Sequence, residues 1–434
     1  MIEESLKNLN IAALNEMQKK AIDTIYTNRN TMILAPTGSG KTLAYLLPIT
    51  KIALNNKTTV QALIIVPSRE LALQIKDVHK AMGTAIKMMC CYGGHSIDAE
   101  KNDFKSAPSI LVGTPGRIAA HMRDARFDFS EISMLVLDEF DKSLEFGFLD
   151  DMAFIVENLK KLKKRICISA TKLEKIPDFV KMDNACQIEF LDQEIQPRIT
   201  LKSVDSPSAD KLETLVKLIK YIGNQSTLIF CNHRDAVERV MDYLRSQKID
   251  VLMYHGGMEQ EDREKSLLKF RNGSYQLLVT TDLASRGLNI PEIQFIVHYH
   301  LPTTEASFIH RNGRTARMNA TGTTYMILSA NDQLPDYLPS KPESESVSGD
   351  LPLPEKSQWV TLEINAGKRD KISKGDIAGF LLQKGRLHKE DLGIIDVMHR
   401  ESFAAVTRIK AQRLLTLVAN ETLKRKLVSI SISR

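Results

Sequence analysis

Short apolar runs recur along the first 330 residues, separated by longer amphipathic stretches. The runs TMILA (31–35), QALIIV (61–66), SILVG (109–113), MLVLD (134–138) and RICIS (165–169) are apolar at consecutive rather than alternate positions. That pattern predicts strands buried on both faces, as in a parallel sheet. A second series follows at TLIF (227–230), VLMY (251–254), QLLVT (276–280), QFIVHY (294–299) and TTYMIL (323–328). Between these lie stretches of helical period, such as LETLVKLIKYI (212–222) and DAVERVMDYLRS (235–246). Strand–helix alternation, twice over, predicts two α/β domains. Their join falls near Leu191–Thr200, where LDQEIQPRIT loses its period around Pro197.

After residue 331 the pattern changes. Asp332 to Lys356 is rich in Pro, Ser and acid and sustains no period, so it reads as a linker. Beyond it, WVTLEI (359–364) predicts a strand. Ser373 with Asp376 predicts a capped helix that Gly385 can close. LGIIDVMH and SFAAVTRI read as strands, AQRLLTLVAN as a helix and KLVSISIS as a last strand. The order βαββαβ predicts a small α+β sandwich with one sheet face free. Trp359, the only Trp, is expected in its core.

Composition then narrows the class. Of 434 residues, 43% are hydrophobic and 26% charged, as in ordinary globular domains. No apolar run approaches the ~18 residues of a spanning helix. Glu3, Glu4 and Lys7 stand where a signal peptide needs its apolar stretch. The five cysteines are odd in number and form no C-x-x-C pair, which argues against a disulfide framework or zinc site and fits a reducing cytoplasm. The net charge of +6 is unevenly spread. The stretch 332–356 has six acids and two bases, while residues 357–434 carry 15 Lys and Arg against 8 Asp and Glu. The tail's excess of +7 leaves only +3 for the 331 residues before the linker. A compact basic module of this kind suits a polyanion, although a solvated lysine-rich surface has the same composition.

Three motifs carry chemistry. Ala35-Pro36-Thr37-Gly38-Ser39-Gly40-Lys41-Thr42 follows a predicted strand and opens a helix, the setting of a P-loop. Its backbone N–H groups can cradle phosphates, Lys41 can reach the β and γ oxygens, and the Thr42 hydroxyl can ligate Mg²⁺. Asp138-Glu139-Phe140-Asp141 closes the strand MLVL. Asp138 is expected to hold the metal through its hydration shell, and Glu139 to orient or deprotonate the attacking water. In the second domain, His310-Arg311-Asn312-Gly313-Arg314-Thr315-Ala316-Arg317 supplies arginines that could neutralise a γ-phosphate, which would make hydrolysis depend on domain closure.

These residues, in this order, resemble the DEAD-box RNA helicases of superfamily 2 across residues 6–330. The likeness also rests on Pro67-Ser68-Arg69-Glu70-Leu71, Gly93-Gly94, Thr114-Pro115-Gly116-Arg117, Ser169-Ala170-Thr171 and Ile229-Phe230-Cys231-Asn232. It extends to His255-Gly256 with Gln260 and Arg263, and to Thr281-Asp282-Leu283-Ala284-Ser285-Arg286-Gly287. The resemblance implies two tandem RecA-like domains, 1–195 and 196–331. It implies ATP as cofactor with Mg²⁺, Gln18 on the adenine edge, Gly287 and Asn289 beside the nucleotide, and Arg314 and Arg317 as arginine fingers. Ser169 and Thr171 would bond Asp141 and His310 to couple hydrolysis to RNA. Arg69, Gly94, Thr114 and Arg117 would hold the RNA backbone from the first domain, with His255, Gly256, Arg263 and Thr281 from the second. Contacts to phosphate and 2′-hydroxyl groups read RNA without reading sequence.

Three positions depart from that pattern. Phe140 replaces the third letter of the DEAD signature without removing a metal ligand. Asn289 stands where the family has Asp, losing a charge. Leu14-Asn15 replaces Pro-Thr ahead of Gln18, so adenine binding is expected to be weaker than a full motif gives.

In the tail, Asn365–Lys371, Lys374–Gly379 and Leu392–Val397 resemble the DbpA-type RNA-binding domain, an RRM-like module of bacterial DEAD-box proteins. That resemblance assigns 357–434 to the module and 332–356 to the linker. It implies a structured RNA target and a place on large-subunit ribosomal RNA during assembly. No strong aromatic pair stands on a central strand for base stacking, so RNA contacts are expected instead from the charges of Lys368, Arg369, Lys371, Lys374, Arg408 and Lys424–Lys426. The reading is an RNA-dependent ATPase and local, non-processive duplex unwinder in the cytoplasm, with no membrane partner. An ATP-gated RNA clamp and a DNA helicase are the alternatives.

Overall fold

The computed structural model describes residues 1–36, 38–53, 59–94, 107–125, 128–145, 147–173, 175–191, 198–285, 293–315, 321–338, 340–349 and 351–433. They divide into two compact units, whose described residues change over between Leu191 and Arg198. The first unit holds strands β1 (Asn30–Leu34), β2 (Ala62–Ile65), β3 (Met88–Cys91), β4 (Ile110–Gly113), β5 (Met134–Leu137), β6 (Lys164–Ser169) and β7 (Cys186–Glu189). They form one sheet in the order β3-β4-β2-β5-β6-β1-β7, every pairing parallel. Apolar side chains pack on both faces, one layer around Ile33, Ile64, Val136 and Leu46 and the other around Leu63, Leu135, Cys167 and Phe140. Two-sided burial is why these strands read as unbroken apolar runs.

The second unit begins with β8 (Arg198–Ser206), followed by β9 (Thr227–Phe230), β10 (Leu252–Tyr254), β11 (Leu277–Thr280), β12 (Phe295–His298), β13 (Thr321–Ser329) and β14 (Glu343–Ser344). Their order is β10-β11-β9-β12-β13-β8-β14, again parallel throughout. The helices expected at 212–222 and 235–246 form as Leu212–Ile222 and Arg234–Ser246. Four strands of these two sheets, β3, β7, β8 and β14, fall outside the runs read as strands. β3 is a four-residue MMCC, β7 buries fully only Ile188, and β8 starts where the period was expected to fail.

The stretch read as a linker carries structure. Glu343–Ser344 adds to the edge strand β8, Lys202 pairs with Glu345, and Lys341 with Asp205 at 2.6 Å. Acid and Pro in this segment thus dock it along β8 instead of leaving it a free tether.

The tail contributes β15 (Trp359–Ile364), β16 (Leu392–Val397), β17 (Ser402–Thr407), β18 (Thr422–Leu423), β19 (Lys426–Leu427) and β20 (Ile430–Ile432). An antiparallel sheet runs β16-β17-β15-β20 with helices Lys374–Gln383 and Arg408–Val418, the expected βαββαβ order. Ser373 and Asp376 form the expected capping box. The final run splits, since Lys426–Leu427 closes a hairpin on Thr422–Leu423 and only Ile430–Ile432 joins the sheet.

One sheet face packs on the two helices through Val360, Leu362, Ile364, Ala404 and Val406. The other face, expected to be free, is covered. Phe403 and Ala405 on that face are fully buried although neither belongs to the domain's own core. Their cover is the helix Gln260–Arg271 and the turn after it. Asn272 donates to Thr361 Oγ1 at 2.9 Å, Thr361 donates to Ser274 at 2.8 Å, and Arg271 pairs with Asp396. Lys265 meets Glu401 at 3.0 Å and Glu363 at 3.6 Å, with its ammonium 5.8 Å from the centre of the Phe403 ring. Trp359 is therefore no core residue. It is half-buried where Gly273 of that turn and Gly393 of β16 approach it, so close that a Cβ on either would lie 3.5 and 3.3 Å from its ring.

Candidate active site

The carboxyl ends of β1, β6 and β5 lie side by side, because Leu34 pairs with Ser169 and Leu137 with Cys167. Ligands of open parallel sheets bind at that end. From β1 the chain passes buried Ala35, turns through Gly38 and Gly40, both at φ +83°, and enters the helix Lys41–Ala53. Positive φ favours glycine here, and at Gly40 a Cβ would lie 2.4 Å from Gln18 Nε2, so a side chain there would push the Gln18 amide aside. Lys41 Nζ donates to the Ala35 and Pro36 carbonyls at 2.6 and 2.9 Å, spanning its own loop.

The N-terminal helix Glu16–Thr27 is tied to this loop. Asn15 and Gln18 form a reciprocal capping box. Asn15 Nδ2 also donates to Ser39 O at 3.0 Å, and Gln18 Nε2 to Gly40 O at 3.3 Å. Asn15, read as a departure, is thus a working cap, and the Gln18 amide braces the loop.

Asp138 is buried at the end of β5. Its Oδ1 accepts the Glu139 N–H at 2.9 Å and its Oδ2 accepts the Tyr45 hydroxyl at 2.7 Å. Burial raises the Asp138 pKa from its ordinary value, while the Tyr45 hydrogen bond and the Lys41 charge oppose the rise. Tyr45, fully buried, is itself pushed up well beyond the usual phenol value by burial and by Asp138. Sequence reasoning passed over Tyr45 as one of the apolar positions of LAYLLPI. The available signal was spacing, because residues three and four apart share a helix face, which sets Tyr45 beside Thr42 and Lys41.

Glu139 adopts φ +47°, the left-handed region, so the strand turns sharply into the helix Phe140–Glu145. That turn sends Phe140 fully into the core and Asp141 toward Thr171. The Thr171 hydroxyl donates to Asp141 Oδ2 at 2.9 Å, and Ser169 Oγ donates to Thr171 O at 2.6 Å while accepting the Thr171 N–H at 3.2 Å. Asp141 and Thr171 are thus joined within the first unit, and Ser169 is bonded to Thr171. Mg²⁺ is commonly held by one or two carboxylates, phosphates and water. Thr42 and Asp138 supply the hard oxygens that such a site takes.

Of the other residues assigned to the first unit, Arg69 begins the helix Arg69–Ala81 with its guanidinium 4.5 Å from the Tyr92 ring centre. Gly94 is exposed at φ +97°. Thr114 takes the N-cap position of the helix Pro115–Arg123, which carries Arg117 in its first turn.

In the second unit, the ends of β10, β11, β9 and β12 bring His255, Thr281 and Asp282, Asn232 and His300 into a row. His255 is buried and its Nδ1 accepts the Gly257 N–H at 3.2 Å, so it shapes the exposed Gly256–Gly257 turn instead of reaching outward. Arg263 bonds Gln260 within its helix. Thr281 Oγ1 accepts the Leu283 N–H at 3.5 Å. Arg311 is the largest fully buried side chain among the described residues. It pairs with Asp282 and donates to His300 O at 2.9 Å and Asn232 Oδ1 at 2.8 Å, locking three strand ends together. His310 and Arg314 are buried beside it on and after the helix Glu305–Asn312. Thr37, Gly287, Asn289 and Arg317 lie outside the described residues.

In the tail, Lys368, Arg369 and Lys371 are exposed on one ledge. The Lys368 and Arg369 N–H groups donate to Met398 O and His399 O, both at 2.9 Å. Gly367 lies so close to this turn that a Cβ would meet Met398 O at 2.6 Å.

Comparison with known proteins matches the same segments. The DEAD/DEAH box helicase domain matches residues 15–179, the helicase conserved C-terminal domain 210–319 and the DbpA RNA-binding domain 361–432. The chain is 28% identical to the ATP-dependent RNA helicase DbpA of Bacillus subtilis, over 99% of this chain and 97% of that protein. It is 28% identical to the Escherichia coli DbpA over 94% and 92%. A solved structure of S. cerevisiae Dbp5 bound to RNA and ADP BeF3 superposes with a TM-score of 0.67 at 27% and 26% identity in two forms, covering 76% of this chain and 88% of that one. With both helicase domains and the RNA-binding module matched in order, the chain belongs to the DEAD-box ATP-dependent RNA helicases.

Proposed function

We propose that this helicase couples RNA-stimulated ATP hydrolysis to local, non-processive unwinding, and that its C-terminal domain brings it to structured ribosomal RNA during assembly of the large subunit. The observation that carries the ATPase half is the convergence of Lys41, Asp138 with Glu139, and the Asp141–Thr171 pair at three adjacent strand ends. The P-loop N–H groups and Lys41 bind the phosphates, Thr42 and Asp138 hold Mg²⁺, and Gln18 meets the adenine. Mg²⁺ supplies charge neutralisation on the phosphates. Glu139 orients the attacking water and takes its proton, and Arg314 and Arg317 stabilise charge developing on the γ-phosphate. Gly287 and Asn289 complete the nucleotide site. RNA backbone is held by Arg69, Gly94, Thr114 and Arg117 from one unit. From the other it is held by Gly256, Arg263 and Thr281, with His255 shaping the glycine turn. The RNA target is supported by the kinship with DbpA and by the RNA in the Dbp5 complex. The exposed ledge of Lys368, Arg369 and Lys371 suits a phosphate backbone.

A strand-displacement assay tests this on a short duplex beside a ribosomal RNA hairpin. ATP should release the strand catalytically and a non-hydrolysable analogue should not. Binding with either nucleotide but release with neither would convert the reading to a clamp, and equal stimulation by DNA would remove its RNA preference.

A further inference from the structure

Asp138 and Thr42 sit on different elements, one at the end of β5 and one in the first turn of the helix Lys41–Ala53. Nothing in the backbone sheet pairing joins them directly, because β6 lies between β5 and β1. A single phenol does. Tyr45 is fully buried on that helix, one turn beyond Thr42, and its hydroxyl gives its hydrogen to Asp138 Oδ2 at 2.7 Å.

The direction of this bond matters. A phenol has one hydrogen, and the Asp138 carboxylate can only accept it. Asp138 is thus held by one inward bond from Tyr45 on Oδ2 and one from the Glu139 N–H on Oδ1 at 2.9 Å. Because Tyr45 stands one turn beyond Thr42 on the same helix, the bond also ties the element that carries Thr42 to the strand end that carries Asp138.

We propose that Tyr45 is a positioning residue of the ATP site, whose hydroxyl fixes the Asp138 carboxylate, and its spacing from the helix that carries Thr42, for Mg²⁺. The inference rests on the assignment of those two residues to the metal. Outer partners of metal ligands characteristically change metal affinity by about 10- to 100-fold when removed.

Tyr45→Phe deletes the hydroxyl and keeps the ring that fills the core. The test measures ADP affinity of the full chain by calorimetry, across a Mg²⁺ titration and in EDTA, with the thermal midpoint recorded alongside. The expected result is an unchanged affinity in EDTA and a half-saturating Mg²⁺ concentration raised about 10-fold. Leu46→Val, a neighbouring and equally buried change that touches no hydroxyl, should keep the wild-type Mg²⁺ dependence. An unshifted Mg²⁺ titration in Tyr45→Phe overturns the proposal. So does a loss of equal size with and without Mg²⁺, or an equal shift in Leu46→Val, since either assigns the effect to packing. If Mg²⁺ fails to strengthen ADP binding in the wild type, the metal assignment itself falls and takes the proposal with it.

Discussion

Phe140 separates two properties that the acidic signature runs together. It stands between Glu139 and Asp141, yet it is fully buried among Ile118, Met152, Ile155 and Val180 on the far side of the turn. The left-handed Glu139 is what parts them, pointing consecutive side chains in opposed directions. Phe140→Ala should therefore act on stability, costing about 3–5 kcal/mol by denaturant unfolding, the usual range for an aromatic lost from a core. The KM for ATP of the protein that remains folded should stay near wild type, and a large KM change with intact stability would contradict the placement. At this scale much was legible. The P-loop, the acids and Ser169–Thr171 announce themselves by identity and order. Tyr45 did not, because a tyrosine inside an apolar helix looks like packing until the partner of its hydroxyl is known. The inward turn of His255 was equally hidden, since a sequence gives residue type and not the direction of a side chain.

Among elements, strands buried on both faces were readable as apolar runs, and the helices Leu212–Ile222 and Arg234–Ser246 by their period. What escaped were elements defined by a neighbour instead of by their own pattern. β14 exists only because β8 offers an edge, and the free face predicted for the C-terminal sheet is closed by a helix more than a hundred residues earlier in the chain. That contact has a built-in reporter, because Trp359 is the only tryptophan and sits at its border. Burial alone would lower the Lys265 pKa, but Glu401 and Glu363 outweigh it and hold the ammonium charged. Lys265→Glu would set three carboxylates together. Its emission maximum should move to the red and acrylamide quenching should increase, while ADP binding at the P-loop stays unchanged. Fluorescence identical to wild type would count against the docked face.

For the molecule as a whole, buried histidines set a lower limit of pH. Burial, reinforced by the Arg311 charge, pushes His298 down to about 3, and burial with the Lys211 charge pushes His300 down to about 4. His79 in the first unit is lowered to about 4 by burial. Each binds a proton more readily in the unfolded chain, at the ordinary value near 6.5, than in the folded one. Stability from these groups is complete above that value and drains away as pH falls through it toward 4. The urea midpoint should therefore fall between pH 7 and pH 5. His298→Gln should flatten part of that slope, and an identical slope would remove His298 from the account. This behaviour was not legible in the sequence, where His298 lies inside the run QFIVHY and His300 follows it, because residue type does not tell which charges will face a ring.

The closed sheet face also bears on portability. The C-terminal domain has the sequence boundaries of a cassette, but the helix Gln260–Arg271 and its turn help to bury Phe403, Ala405 and Trp359. Excised alone, it would present an apolar patch to water and invite self-association. Grafted onto another motor, it would need that host to supply a matching lysine, arginine and asparagine where Lys265, Arg271 and Asn272 now stand. The unit that can be moved between proteins is the second sheet together with its tail.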